Sequence, residues 1–438
     1  MPGPLCARTG SGLQQVSERG LRFRRPPLAQ LSLLISLAVP LSQVVARGKS
    51  NQYLLIQPPG IMMANPLKVL PASSRRHVQM NAKFELTPEI LAKQKERARK
   101  REAQQRPEAI AAMAAKAKAE AEAKRESRRQ RDAEDAQTLR AWAVKRRDTG
   151  EPCDLVDIGA NLVRVKSDES LEQQLRRCCF ASVSRVIVTG TSVSSSRRAL
   201  ELIRQAVNKK RTGGVQLFCT AGVHPHDAKS CNPSTMSSLR ELLNAPECVA
   251  IGECGLDYDR MFSRREVQLE WFEQQARLAA EFSLPLFIHE RDRDADKGMP
   301  LGSHSDLLDV LERAGVPPER ACIHCFTGTA KQLQAYVERG YRIGLTGFVA
   351  MKKRGAHLRE ALKAGVLPLS QLMIETDAPF MKPDREYLPA IKLLKRGQCE
   401  PCVVPAVCNA VAECLSLTPD EVALVTTANA CAFFNLKS

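Results

Sequence analysis

Apolar residues in the second half of the chain gather into short runs, each closed by a residue able to bind metal. They are VAIGE (Val249 to Glu253), PLFIH (Pro285 to His289), ACIH (Ala321 to His324) and LMIETD (Leu372 to Asp377). Runs of this kind predict buried strands. Between them the pattern shifts to the helical period, as in Arg265 to Phe282 with Trp271, Phe272, Leu278 and Phe282, and in Asp306 to Ala314. Strands are expected to begin near Asp154, Arg185, Val215, Cys248, Pro285, Ala321, Tyr341 and Gln371. Eight strands alternating with helices predict an α/β fold, a closed (β/α)8 TIM barrel of about 285 residues. An open doubly wound sheet does not usually bring ligands from strands four, five, six and eight to one centre. A barrel mouth does.

Upstream the pattern differs. Residues 84–147 are rich in Ala, Glu, Lys and Arg and almost lack large apolar residues at heptad spacing. They predict a solvated single helix or partly disordered spacer rather than a coiled coil, with Pro107 interrupting any continuous helix. In residues 1–83 the only acid is Glu18, and Arg8, Arg19, Arg22, Arg24 and Arg25 precede an apolar run from Leu28 to Ala46. That arrangement predicts a targeting leader, with a mitochondrion or plastid as the expected destination and cytoplasm or nucleus as alternatives. A membrane anchor is disfavoured because Gln30, Ser32, Ser36, Pro40 and Ser42 dilute the run. No stable anchor is expected once the leader is removed. The expected organisation is therefore a mostly disordered leader and linker (1–83), a basic helix or linker (84–150), and a barrel hydrolase (151–438).

Charge sharpens this division. The net +17 is distributed as +10 in residues 1–83, +7 in 84–147 and zero in 148–438. The barrel's substrate must be argued from its site, since its bulk charge carries no signal for nucleic acid. Segment 84–147 is either a polycation that attracts phosphate backbones or a solubilising linker. The 15 cysteines have no regular spacing, and several fall in or beside predicted strands. They predict reduced core thiols, and the pair Cys399/Cys402 has no second pair at zinc-finger spacing.

A hard divalent ion needs carboxylates and neutral imidazoles converging from rigid elements, and Glu253, His289, His324 and Asp377 supply that set. With these residues, the motifs GECGLD (Gly252 to Asp257), HERD (His289 to Asp292), HCFTGT (His324 to Thr329), ETDAP (Glu375 to Pro379), GVHPHD (Gly222 to Asp227) and DIGANL (Asp157 to Leu162) resemble the TatD family of metal-dependent deoxyribonucleases within the amidohydrolase superfamily. The likeness runs from about Asp154 to Phe434, and residues 1–150 have no counterpart in it. The resemblance implies divalent metal, Mg²⁺ with Mn²⁺ or Zn²⁺ as alternatives. It further implies 3′→5′ exonuclease action on DNA, with some members acting on RNA.

By motif, Glu253, His289, His324 and Asp377 match the family's metal-binding positions. Many relatives carry D-x-H-x-H on the first strand, where Gly159 and Asn161 stand here; one tightly held ion, with a second recruited by substrate phosphate, is expected. Glu290 stands where the subgroup usually has Cys, and the segment after Pro379 reads RGQCEP from Arg396 rather than the family's Arg-Asn-Glu-Pro. Asp377 is expected to be ligand and general base, beside Glu253 and His226 as catalytic groups. His224 and His226 are expected donors to the scissile phosphate, and Arg291, Lys382 and Arg396 are expected phosphate contacts. Asp157 either orients a ligand or is a strand-end carboxylate bonded to nearby backbone. The competing functions are a metal-dependent amide or ester hydrolase and a non-enzymatic scaffold.

Overall fold

The eight apolar runs form eight strands: β1 (Leu155–Ala160), β2 (Val183–Val188), β3 (Gln216–Ala221), β4 (Cys248–Asp257), β5 (Leu286–Arg291), β6 (Ala321–Ile323), β7 (Arg342–Leu345) and β8 (Leu372–Ile374). In this computed structural model each strand pairs in parallel with its sequence neighbour. Described are residues 46–47, 53–54, 88–104, 107–293 and 298–436. Nearly all of the leader expected in residues 1–83 lies outside them.

The last strand returns to the first. The Asn161 amide donates to Ala378 O at 2.7 Å, and the Asp377 amide to Gly159 O at 2.8 Å. Asp157, fully buried, strengthens this seam by accepting from the Thr376 amide at 2.9 Å and the Thr376 hydroxyl at 2.5 Å. The sheet is thus a closed barrel, and Asp157 is the carboxylate bonded to nearby backbone.

Strand alternation decides what fills it. Leu286, Ile288, Ala321, Ile323, Leu372 and Ile374 face the surrounding helices. Phe287, Cys322 and Met373 point inward with Val156, Ile158 and Ile187, over a floor made by Ala430, Phe434 and Leu436. One step further along each strand the inward positions are His289, His324 and Glu375, so a polar layer lies directly on the apolar one. Phe287 stacks under His324, with ring centroids 4.3 Å apart.

Helix α1 spans Pro88–Gln104 and α2 spans Pro107–Trp142, with Pro107 opening the second helix as its fixed φ and missing N–H favour. The chain divides into two compact units, residues 1–119 and 120–438, so the second includes much of α2. There Ala136, Leu139, Ala143 and Val144 are buried. The Arg140 guanidinium lies 4.8 Å from the Phe180 ring centre, and the Arg147 amide donates to Asp420 at 3.1 Å. The barrel unit thus starts some way upstream of residue 151, because α2 ends in apolar residues that need cover. Among the described residues no single helix is long and apolar enough to cross a membrane. The 14 described cysteines are free thiols.

Candidate metal centre

Glu253 is the hub. It lies in β4 between Gly252 and Gly255, where pairing with β5 shifts register between Ile251 and Cys254. A Cβ on Gly252 would stand 2.2 Å from Phe287 O, and one on Gly255 2.0 Å from His289 O. Both glycines also hold positive φ, so the GECG string is what lets β4 press against β5 at this point. The irregularity aims Glu253 into the mouth. Its Oε1 lies 2.9 Å from His324 Nε2, 3.2 Å from His289 Nδ1 and 3.2 Å from His224 Nε2.

The far nitrogen of each imidazole decides which can bind a cation. His289 Nε2 faces Asp257 Oδ2 at 3.3 Å, and His324 Nδ1 faces Glu375 Oε2 at 3.3 Å. Each ring can donate its proton to a buried carboxylate and turn a lone pair toward Glu253, the arrangement that orients metal-binding histidines. His224 is different. Its Nδ1 accepts the backbone N–H of His226 at 3.1 Å, which leaves the ring proton on Nε2. His224, Glu253 and His289 offer ligand atoms within 4.8 Å of one another, but the tautomer makes His224 a hydrogen-bond donor. The donor set that fits a divalent ion is Glu253, His289 and His324, with Asp377 beside them.

Asp377 follows β8 with φ of 50°, and Cys325, after His324, has φ of 47°. Left-handed backbone at non-glycine residues costs of order 1–3 kcal/mol and gathers at functional sites. Asp377 accepts from Asn161 Nδ2 at 2.9 Å, and the Cys325 thiol lies 3.7 Å from its other oxygen. Asn161, where many relatives have a second histidine, thus supports the carboxylate. At Gly159 a Cβ would stand 2.2 Å from Glu375 Oε2, so the carboxylate that holds His324 occupies the space of the first.

Burial and neighbours set the protonation. Burial pushes the Asp377 carboxyl up to about 7; the His324 ring opposes this while Glu253 and Glu375 add to it. His224 is pushed down to about 4 by burial. Burial opposes the charged form of Glu253, yet His224 and His324 hold its pKa well below the usual range. Burial also opposes protonation of His289 and His324, but Asp257 and Glu253 raise the first, and Glu253 and Glu375 raise the second.

Asp257 and Glu375 are candidate site residues that the motifs alone leave unassigned, each facing the far nitrogen of a mouth histidine. Asp257 is fully buried and accepts from His226 Nε2 at 2.7 Å and from the Arg260 side chain and amide at 2.9 Å each. Both residues carried a signal: four positions after Glu253 and two before Asp377, they share a face with a candidate ligand. The remaining expectations place as follows. The Arg291 Nε is held by Asp259 at 2.9 Å, and Arg396 is exposed at the end of the short helix Lys392–Arg396. Lys382 Nζ donates to Gly397 O at 2.6 Å. Glu290 accepts from Ser303, and burial raises its pKa to about 7. Asp292 of HERD accepts the amides of Leu301, Gly302 and Ser303, the start of the helix Ser303–Ala314. Thr329 of HCFTGT caps the helix Ala330–Arg339. Those two motif residues build helix starts.

A closed parallel barrel with carboxylate-backed imidazoles at the carboxyl ends of its strands has the layout of a barrel hydrolase, with side chains there that could hold a divalent ion. Residues 156–435 match the family model "TatD related DNase", and the chain belongs to that family. It is 36% identical over 282 residues, 64% of this chain and all of the relative, to the "3'-5' ssDNA/RNA exonuclease TatD" of Erwinia amylovora. The protein of that name from Salmonella typhimurium is likewise 36% identical over 282 residues, 64% of this chain and 99% of its own. Among solved structures, a hydrolase TatD family protein from Entamoeba histolytica is similar at 25% identity and TM-score 0.56, over 64% of this chain and 98% of its own. The TatD homologue YJJV from Escherichia coli is similar at 25% identity and TM-score 0.54, over 65% and 99%.

Proposed function

We propose that this protein is a nuclease that removes nucleotides from the 3′ end of single-stranded DNA, and of RNA, with a divalent cation, Mg²⁺, held by Glu253, His289, His324 and Asp377. One observation carries the reading: two imidazoles, each backed by its own buried carboxylate, turn their remaining nitrogens to one oxygen of Glu253. The names of the 36%-identical relatives support the substrate. When bound, a divalent cation lowers the pKa of an attacking water and neutralises charge developing on phosphate oxygens.

The chain's own residues supply the rest. Asp377, beside the other three residues at the barrel mouth, is the group placed to accept the proton of the attacking water. Asn161 holds that carboxylate in place. His224 stays neutral at pH 7 because burial pushes it to about 4, and its Nε2–H faces Glu253 at 3.2 Å, the carboxylate it helps to hold. His226 has Nε2 committed to Asp257, so its Nδ1 is left to accept a hydrogen bond from the substrate rather than to donate one to phosphate. A first strand with Gly159 and Asn161 in place of histidines favours one tightly held ion. Residues 1–83 as an organelle-targeting leader belong to the same proposal, and a mature amino terminus beyond Ala46 is its signature.

The test is a 5′-labelled single-stranded oligonucleotide incubated with full-length protein. The expected outcome is stepwise 3′ shortening that EDTA stops and Mg²⁺ restores, with Glu253→Gln slower by at least about 100-fold. Turnover of acyl esters without turnover of oligonucleotide would instead favour an amide or ester hydrolase. Shortening that persists in EDTA would remove the metal from the mechanism.

A further inference from the structure

We propose that Phe262 and Phe380 are base-stacking platforms on opposite sides of the barrel mouth, holding the nucleotides that flank the scissile phosphate. The proposal rests on the nuclease reading and names the part of the substrate that reading leaves without a partner. Of the described phenylalanines, only these two are exposed, at 56% and 47%, and both lie in loops at the carboxyl ends of strands. A single exposed apolar residue needs no explanation. Two phenyl rings left in water, both at the mouth that holds the metal-binding side chains, call for one.

Their placement in the barrel makes the case. Phe262 follows β4, and its ring meets the His226 ring edge-on with centroids 4.7 Å apart. Phe380 follows β8, and its amide donates to Asp377 O at 2.9 Å. The Arg164 guanidinium, from just after β1, lies 5.2 Å from its ring centre. In a closed ring of eight strands, β4 and β8 are four apart in either direction, so the loops that carry the two residues lie on opposite sides of the mouth. Each adjoins a polar group of the mouth: His226 with Asp257 on one side, Asp377 with Arg164 on the other. A phosphodiester placed between them has one base toward each ring. Every base presents a π-face, so stacking of this kind is indifferent to sequence and requires unpaired bases, as a single-strand exonuclease needs.

The experiment uses full-length protein with Mg²⁺ and three oligonucleotides: unmodified, abasic (tetrahydrofuran) at the 3′-terminal position, and abasic at the penultimate position. Phe262→Ala and Phe380→Ala are each expected to raise KM for the unmodified strand by about 5- to 100-fold with little change in kcat. Each loses its effect on the one abasic substrate whose missing base it would have held. Phe→Tyr restores KM at each position and Phe→Leu does not; thermal unfolding of the variants shows that the fold is kept. Equal losses on all three oligonucleotides, no loss at all, or rescue by Leu would overturn the proposal. Fluorescence anisotropy of the labelled oligonucleotides reads the same preference without turnover. If the wild type binds base-bearing and abasic ends alike, the platforms are refuted whatever the activity. If it prefers base-bearing ends, with the preference lost in the Ala variants, yet cleaves nothing, the platforms stand and the nuclease reading falls.

Discussion

Replacing Asp257 by Asn keeps the side-chain volume but removes the charge that holds His226 and His289. Calorimetric titration with Mg²⁺ or Mn²⁺ is expected to show affinity reduced about 10- to 100-fold, the usual cost of losing a carboxylate behind a metal-binding histidine. The raised pKa values make a second prediction. Asp377 ionises at 3.8 when unperturbed and at about 7 in the fold, so the metal-stripped protein binds more protons folded than unfolded in between. Its contribution to stability therefore falls as pH rises from about 4 to about 7. His289 and His324 are raised above 6.5, so their contribution is present below that pH and is lost as pH climbs through their folded values. The Glu253 contribution, from a lowered pKa, is lost only as pH falls below 4.5, outside this window. Thermal melts of metal-stripped protein should show a lower Tm at pH 8 than at pH 6, and added cation should close the gap, because binding displaces those protons. The carboxylates and imidazoles that gather at the mouth were legible because strand ends mark themselves in sequence. What His224 does was not, since its tautomer depends on a backbone amide two residues away taking up Nδ1.

At the scale of elements, sequence pattern located all eight strands to within a residue or two, because continuous apolar runs between helical periods have few other readings. Helix α2 was harder. Its first two thirds are alanine and charge, and the apolar residues that anchor it, Leu139 and Trp142, are too few to set a periodicity. Leu139 is nevertheless fully buried in the barrel unit's core. Leu139→Ala should cost about 2–5 kcal/mol in urea unfolding, as for other buried leucines. A protein beginning at residue 148 should unfold at lower urea than one beginning at 120; equal midpoints would show that the end of α2 contributes nothing. The glycines of GECG are visible in the sequence as motif letters, but their reason is a close approach between β4 and β5 that only the paired strands reveal.

For the molecule as a whole, the uneven charge predicts a division of labour. If the basic segment of residues 84–119 holds nucleic acid by its phosphates, log Kd for single-stranded DNA should depend more steeply on log salt in a protein beginning at residue 84 than in one beginning at residue 120. The slope should flatten by about 0.7 for every phosphate that the removed segment had neutralised. Identical slopes would reduce the segment to a spacer. Barrel closure was legible only as a count of strands; the seam itself, Asp157 against Thr376, joins residues 219 positions apart and left no local mark. That seam also orders events during synthesis. A nascent chain that has emerged only as far as β7 holds Glu253, His289 and His324 but lacks Glu375 to fix the His324 ring, lacks Asp377, and leaves one edge of its first strand open. On the proposed mechanism, chemistry waits for the final strand to leave the ribosome, and a chain ended before it should show no nuclease activity.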